Sequence, residues 1–254
     1  MTETRSHQPR GWRRPQREAA HEPLTLDRIV AAAIELVDRE GLEALSMRRL
    51  GTELGAAATT LYWHVRNKDE LLDLALDQIF AEIEVPEGPA PWRELAGEIA
   101  RRLRALLIRH RGFVMVVASR PTTGPNALGA MDKVLGVLRR AGFDDAHVVD
   151  AAVTLVNYAS GHAVLESAAL LGYQEATGAG VDLRQAAAET VSFMSTLPAD
   201  QFPNLVPLAP RFLSPDDDHR FEYGLERILD GLEVELARIR DDHSSLTTIS
   251  PAER

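Results

Sequence analysis

The segment Ser46-Met-Arg-Arg-Leu-Gly-Thr-Glu-Leu-Gly-Ala-Ala-Ala-Thr-Thr-Leu-Tyr-Trp-His-Val65 holds the densest run of side chains able to meet an outside polar partner. Leu50, Leu54, Leu61 and Val65 are spaced to lock two short helices together. Gly51 permits close approach and Gly55 supplies a turn, which leaves Thr59, Thr60, Tyr62 and His64 free of packing duty. Hydroxyls, a phenol and an imidazole suit base edges, thymine methyls and phosphates. Spacing alone fits a helix-turn-helix, and it also fits an ordinary helical hairpin. Trp63 reads as core packing with its ring nitrogen seeking a partner. Arg49 and Arg66 read as solvated charges, and Lys68 suits either a phosphate contact at a helix start or plain surface.

Elsewhere, His162 and Glu166 lie four apart and share a helix face. Two donors fall short of a metal site, so a hydrogen-bonded structural pair is expected there and no metal. Asn157, in an apolar stretch, needs a partner, and a ligand is one candidate. No nucleophile elbow, phosphate loop, HExxH or carboxylate pair at metal spacing occurs in the sequence, which makes a helical enzyme the least favoured class. No catalytic residue and no cofactor is expected. With no cysteine in 254 residues, disulfides, thiolate zinc sites and cysteine nucleophiles are excluded.

The elements that must carry these residues read as helices throughout, giving an all-α chain. Thr25 caps a first helix through Ile29, Ala33, Leu36 and Val37, ended by Gly41, and Ser46 caps a second. A short third helix runs to about Val65. Asn67 and Glu70 form a capping box that opens a fourth through Leu71, Leu74, Ala75, Ile79 and Ile83. Prolines 86, 89 and 91 mark a boundary, so residues 24–86 form the first unit and 87–240 a larger one. In the second, stripes Leu95–Leu107 and Leu128–Leu138 are amphipathic, whereas residues 146–171 are apolar nearly all round and must be covered on every side. Gly172–Asp182 reads as loop, Leu183–Leu197 as helix, and the prolines from 198 to 215 as an irregular connection. A striped last helix spans 218–238, followed by a disordered tail at 241–254.

The net charge is −10, unevenly spread: residues 1–68 sum to +2 and the rest to −12. The first unit can therefore approach phosphates while an acidic body points away. Residues 1–23, with five arginines and three prolines, read as a disordered basic arm in which Arg13, Arg14 and Arg17 are candidates for reaching a groove. No apolar run approaches a membrane span of roughly 20 residues, and the N-terminus lacks a signal-peptide centre; a cytoplasmic, membrane-free protein is expected.

Residues 26–83, above all Thr60-Leu-Tyr-Trp-His-Val65 followed by Asn67-Lys68 and Leu71-Leu72, closely resemble the DNA-binding domain of the tetracycline repressor (TetR) family. Ala118-Ser-Arg-Pro-Thr122, Arg140-Ala-Gly-Phe143, Phe221-Glu-Tyr-Gly-Leu225 and Gly231-Leu232-Glu233 resemble landmarks of its tetracycline-binding members. The resemblance implies a three-helix reading head joined by a linking helix to a helical ligand-binding and dimerisation domain. It also implies a homodimer on a palindromic double-stranded DNA operator, released by a small-molecule effector. Arg48, Thr59, Thr60, Tyr62, His64 and Lys68 take the positions that meet DNA. Leu103, Val116, Arg120, Pro121, Asn157, His162 and Glu166 fall near the ligand cavity. Val116 stands where those members carry a histidine metal ligand and Ile99 where they carry a drug-gripping amide, so the effector is not expected to be a magnesium–tetracycline chelate. An activator, or a regulator needing a corepressor, fits the same residues.

Overall fold

A computed structural model describes residues 23–177, 183–212 and 217–248; the expectations for Arg13, Arg14 and Arg17, for 178–182 and for the end of the chain fall outside these residues. Among the described residues there are α-helices, short 3-10 turns and no strand.

The head forms as its caps dictate. Helix α1 (Leu26–Glu40) begins where Thr25 Oγ1 accepts the Arg28 N–H at 3.3 Å and ends at Gly41, whose φ of +85° favours a residue without Cβ. Helix α2 (Met47–Glu53) starts on Ser46 Oγ, 3.1 Å from the Arg49 nitrogen. Gly55, at φ +63°, turns the chain into α3 (Ala58–Leu61). Helix α4 (Lys68–Phe80) opens with Asn67 Oδ1 accepting the Glu70 N–H at 2.8 Å. Glu70 returns to the Arg66 N–H, one residue earlier than in the usual capping box. Ile29, Leu36, Leu50, Leu61, Leu71 and Ile79 close a buried core under these four helices.

The body consists of α5 (Trp92–Arg109), α6 (Val114–Ser119), α7 (Pro125–Ala141), α8 (His147–Thr177), α9 (Leu183–Ser195), α10 (Ala209–Phe212) and α11 (Asp217–Thr248). Helix α5 lies at its centre, packed on α7, α8 and α11. Ile99, Leu103, Leu138, Leu155, Phe221, Leu225 and Leu229 are shared in one cluster. The two cores touch. Leu106, Phe113 and Val116 of the body enter the head's cluster, while Phe80, Ile83 and Val117 pack against both.

Four expectations change. Gly172 does not stop the long helix, which runs on to Thr177, because a single glycine costs only about 1 kcal/mol in an established helix. Helix α11 continues to Thr248, so residues 241–248 are helical rather than tail; extending a formed helix is far easier than nucleating one. Leu128 is 54% exposed, and Ala127, Val134, Val137 and Leu138 supply the buried side of α7. Finally, His147–Ala168 of α8, with 22 residues and a mean hydropathy of 1.2, is long and apolar enough to cross a membrane by composition alone. In the fold it packs on α5, α7 and α11 and keeps part of its apolar surface exposed.

Candidate functional site

The head presents a short exposed segment on a packed base. Helix α3 has only four residues, and successive turns carry the chain through His64, with the His64 N–H donating to Leu61 O at 2.9 Å. Leu61 and Val65 are buried and pin this segment from beneath. Gly51 is indispensable to the packing: a Cβ there would lie 2.8 Å from Ala56 O and 3.3 Å from Leu61 Cδ1. What remains on the outside is Thr59, Tyr62, Trp63 and His64, with Arg48 exposed on the neighbouring α2 and Thr60 half-buried. Trp63, expected in the core, is 87% exposed and Tyr62 52%. The segment from α3 to Val65 buries Leu61 and Val65 beneath it, and the indole between them in sequence is turned out to water. Lys68 is half-buried with Nζ 3.5 Å from Leu42 O, and Arg66 lies against Glu70. Arg49 is committed elsewhere, to Glu40 at 2.8 Å, in a network with Arg39 and Glu53 that ties α1 to α2.

The second feature is a pair of adjoining cavities where α4 meets the body. An outer one of about 420 Å³ is lined by Asp73, Asp77, Phe80, Arg120, Pro121 and Thr122 among others. An inner one of about 100 Å³ is lined by Ile99, Leu103, Val117, Met131, Val134 and Val156, with only the hydroxyls of Thr122 and Ser160 for polarity. Phe80, Thr122 and Ala127 belong to both walls. Of the ligand residues expected from sequence, Leu103, Arg120 and Pro121 line these spaces. Val116 does not: it is buried in the core shared with the head, and its neighbour Val117 faces the cavity. Asn157 is exposed on α8 and lines neither space. The sequence does not assign Phe80, Ile83, Met131, Val156 and Ser160 to a cavity, although Ala127, Ala130, Met131 and Val134 keep one-face helical spacing.

His162 and Glu166 lie apart from both cavities and do not form the expected hydrogen bond, being 3.8 Å apart. Arg104 takes the carboxylate instead, reaching both Glu166 oxygens at 2.9 and 3.2 Å, pairing with Asp218 at 2.7 Å and lying 4.8 Å over the Phe221 ring. A guanidinium fork suits two oxygens better than an imidazole does. His162 packs edge-on against Phe221. Burial, reinforced by the nearby Arg104 charge, holds its imidazole below its ordinary pKa. Among the described residues no three His, Asp or Glu side chains converge at metal-binding spacing.

Polar links join head and body on two sides. Buried His110, at the end of α5, meets Asp38 of α1 through Nδ1 at 2.7 Å and faces Glu82 through Nε2 at 3.3 Å. The Asp38 hydrogen bond pushes the imidazole above its ordinary pKa, against the opposing effect of burial. On the cavity side, Arg120 pairs with Asp69 and Asp73 of α4. Asp77 of α4 accepts the N–H groups of Asn126 and Ala127 at 2.9 and 3.1 Å.

Comparison with known proteins agrees with this geometry. The family profile described as bacterial regulatory proteins of the tetR family matches residues 29–75, and that described as the tetracyclin repressor-like C-terminal domain matches 85–236. The chain is 40% identical over 235 residues to the HTH-type transcriptional repressor DrrR1 of Streptomyces coeruleorubidus, covering 91% of this chain and 84% of that one. It is 32% identical over 208 residues to the class A tetracycline repressor of Escherichia coli, covering 80% and 88%. The crystal structure of ActR from Streptomyces coelicolor in complex with actinorhodin superposes with a TM-score of 0.73 at 39% identity, over 84% of this chain and 97% of that one. The outward-facing reading segment, the cavity beneath the linking helix and these matches along the chain lead to one conclusion: it belongs to the TetR family of transcriptional regulators.

Proposed function

We propose that this protein is a ligand-responsive repressor, not an enzyme, acting in the cytoplasm as a homodimer that holds a palindromic operator and releases it when a small molecule fills the cavity under α4. One observation carries the reading: Tyr62 and Trp63 stand in water on a segment whose two ends are buried, exposing two large aromatic rings that the described residues do not cover. Arg48, Thr59, Thr60, Tyr62, His64 and Lys68 are the proposed DNA contacts, with Trp63 added to them. Selection from a random duplex library, followed by gel shift, tests this. The enriched sites should be two-fold symmetric, with half-sites about 34 Å apart. No enrichment by purified dimer would remove the reading.

The second copy is proposed to cover α8 and α11, where Val149, Leu165, Tyr223 and Val234 are between 50% and 74% exposed. Leu229 on α11 is 1% exposed within the chain's own core, so substituting it would unfold the protein rather than separate subunits.

For the effector, the apolar inner cavity with its two hydroxyls, opening beside the larger outer one, supports a molecule with a largely apolar end; the ActR neighbour holds actinorhodin in its structure. Ile99 and the rest of the inner wall, which holds no His, Asp or Glu, offer no metal ligand, and this supports an effector other than a magnesium–tetracycline chelate. Calorimetry with tetracycline and magnesium should show no tight, metal-dependent binding, and finding such binding would overturn this part.

A further inference from the structure

Helix α7 is capped by a residue that does not belong to it. Its N-cap position is Gly124 and its first residue is Pro125, so the helix offers no side chain of its own to the N–H groups of Asn126 and Ala127. Such first-turn donors have no partner within a helix. Asp77 Oδ1, from the last turn of α4, accepts both, at 2.9 and 3.1 Å, while Oδ2 accepts from Asn126 Nδ2 at 2.9 Å. Gly124 is what admits it: a Cβ there would stand 2.2 Å from Asp77 Oδ1. The carboxylate also sits at the positive end of a 17-residue helix, where a negative charge is favoured.

The position of this contact gives it a consequence. Helix α4 buries Leu71, Leu72, Ala75, Leu76 and Ile79 in the head's core, whereas α7 buries Val134, Val137 and Leu138 in the body's. Asp77, Gly124, Pro125 and Ala127 together form part of the wall of the outer cavity. An occupant of that space would lie against the clasp itself.

We propose that Asp77 is a positioning residue that couples the cavity to the reading head: its clasp on the α7 N-terminus fixes α4 relative to the body, and a change on either side is felt on the other through it. This rests on the repressor reading above. Coupling between two sites is reciprocal, so DNA can stand in for an effector in testing it.

The experiment is amide hydrogen exchange on the full-length protein, with and without the duplex enriched by the wild type. Asn126 and Ala127 are the reporters, and Leu128, whose N–H donates to Gly124 O at 2.9 Å, is the control within the helix. In free protein, Asp77→Ala and Gly124→Ala should each speed exchange at the two reporters about tenfold or more, since a charge-assisted acceptor is lost. Asp77→Asn keeps an acceptor oxygen and should stay near wild type. Duplex should alter reporter exchange in the wild type and Asp77→Asn, and leave it unaltered in Asp77→Ala and Gly124→Ala, while protection of the reading segment is the same in all four. The Asp77→Ala/Gly124→Ala double variant should behave like either single one, separating loss of one contact from two independent injuries to the fold. If duplex binds and reporter exchange never responds, or responds equally in every variant, the clasp has no coupling role. If no duplex is enriched, the repressor reading fails first and the proposal with it.

Discussion

Trp63 separates packing from recognition at the level of single residues. An indole 87% exposed contributes almost nothing to the fold, so Trp63→Ala should leave Tm unchanged and weaken operator binding. Thr60→Ala and Tyr62→Ala should each cost roughly 1–3 kcal/mol in operator affinity by gel shift, without unfolding. An unchanged shift for both would refute the DNA-contact assignment. His110 makes a different kind of prediction. Its folded pKa is raised by Asp38, so the imidazolium stabilises the fold. That contribution is complete below the unfolded value of about 6.5 and disappears as pH rises through the folded value. Thermal melts should therefore show the wild type losing its advantage over His110→Gln as pH rises from 6 upward. His162, whose pKa is lowered, acts in the opposite sense: its contribution is present above the unfolded value and declines as pH falls through the depressed one. Parallel melting curves for wild type and His110→Gln across that range would disprove the His110 account.

Among the elements, small residues decide which helices can meet. Tyr158 of α8 donates its hydroxyl to Phe221 O at 2.8 Å and stacks on the Phe221 ring, with centroids 5.4 Å apart. It fits because Gly224 follows one turn later in α11; a Cβ there would lie 2.2 Å from the hydroxyl oxygen and 2.7 Å from Cζ. Gly224→Ala should destabilise the protein by about 1–3 kcal/mol in denaturant melts, the usual range for overpacking. Adding Tyr158→Ala should recover part of that loss, and full additivity of the two changes would show that they do not meet. By spacing alone, Phe221-Glu-Tyr-Gly224-Leu225 is a stripe with a gap. Its purpose depends on a tyrosine more than sixty residues away.

For the whole molecule, α8 leaves apolar surface uncovered. It is apolar nearly all round, yet Val149, Val153 and Leu165 remain 41–74% exposed on the single chain. A second subunit can cover them with α8 and α11 paired into a four-helix interface. Leu165→Arg should give monomers with unchanged helical content and lost operator binding, measured by sedimentation, circular dichroism and gel shift. A Leu165→Arg protein that stays dimeric would put the interface elsewhere.

Local chemistry is what the sequence determined alone. Thr25, Ser46 and Asn67 cap where the pattern says, Gly41, Gly55 and Gly142 turn where positive φ is needed, and the 3.6-residue spacing places Leu50, Leu61 and Leu71 inside. Each of these depends on neighbours within a few residues. Tertiary structure decided everything that needed a distant partner. Arg104, not His162, claims Glu166; Val117 rather than Val116 faces the cavity; Trp63 is outside; and Asp77 caps a helix beginning 48 residues after it. Periodicity shows that a side has to be covered. Only the packed chain shows by what, because covering groups are chosen by shape and charge across gaps in sequence that no local pattern spans.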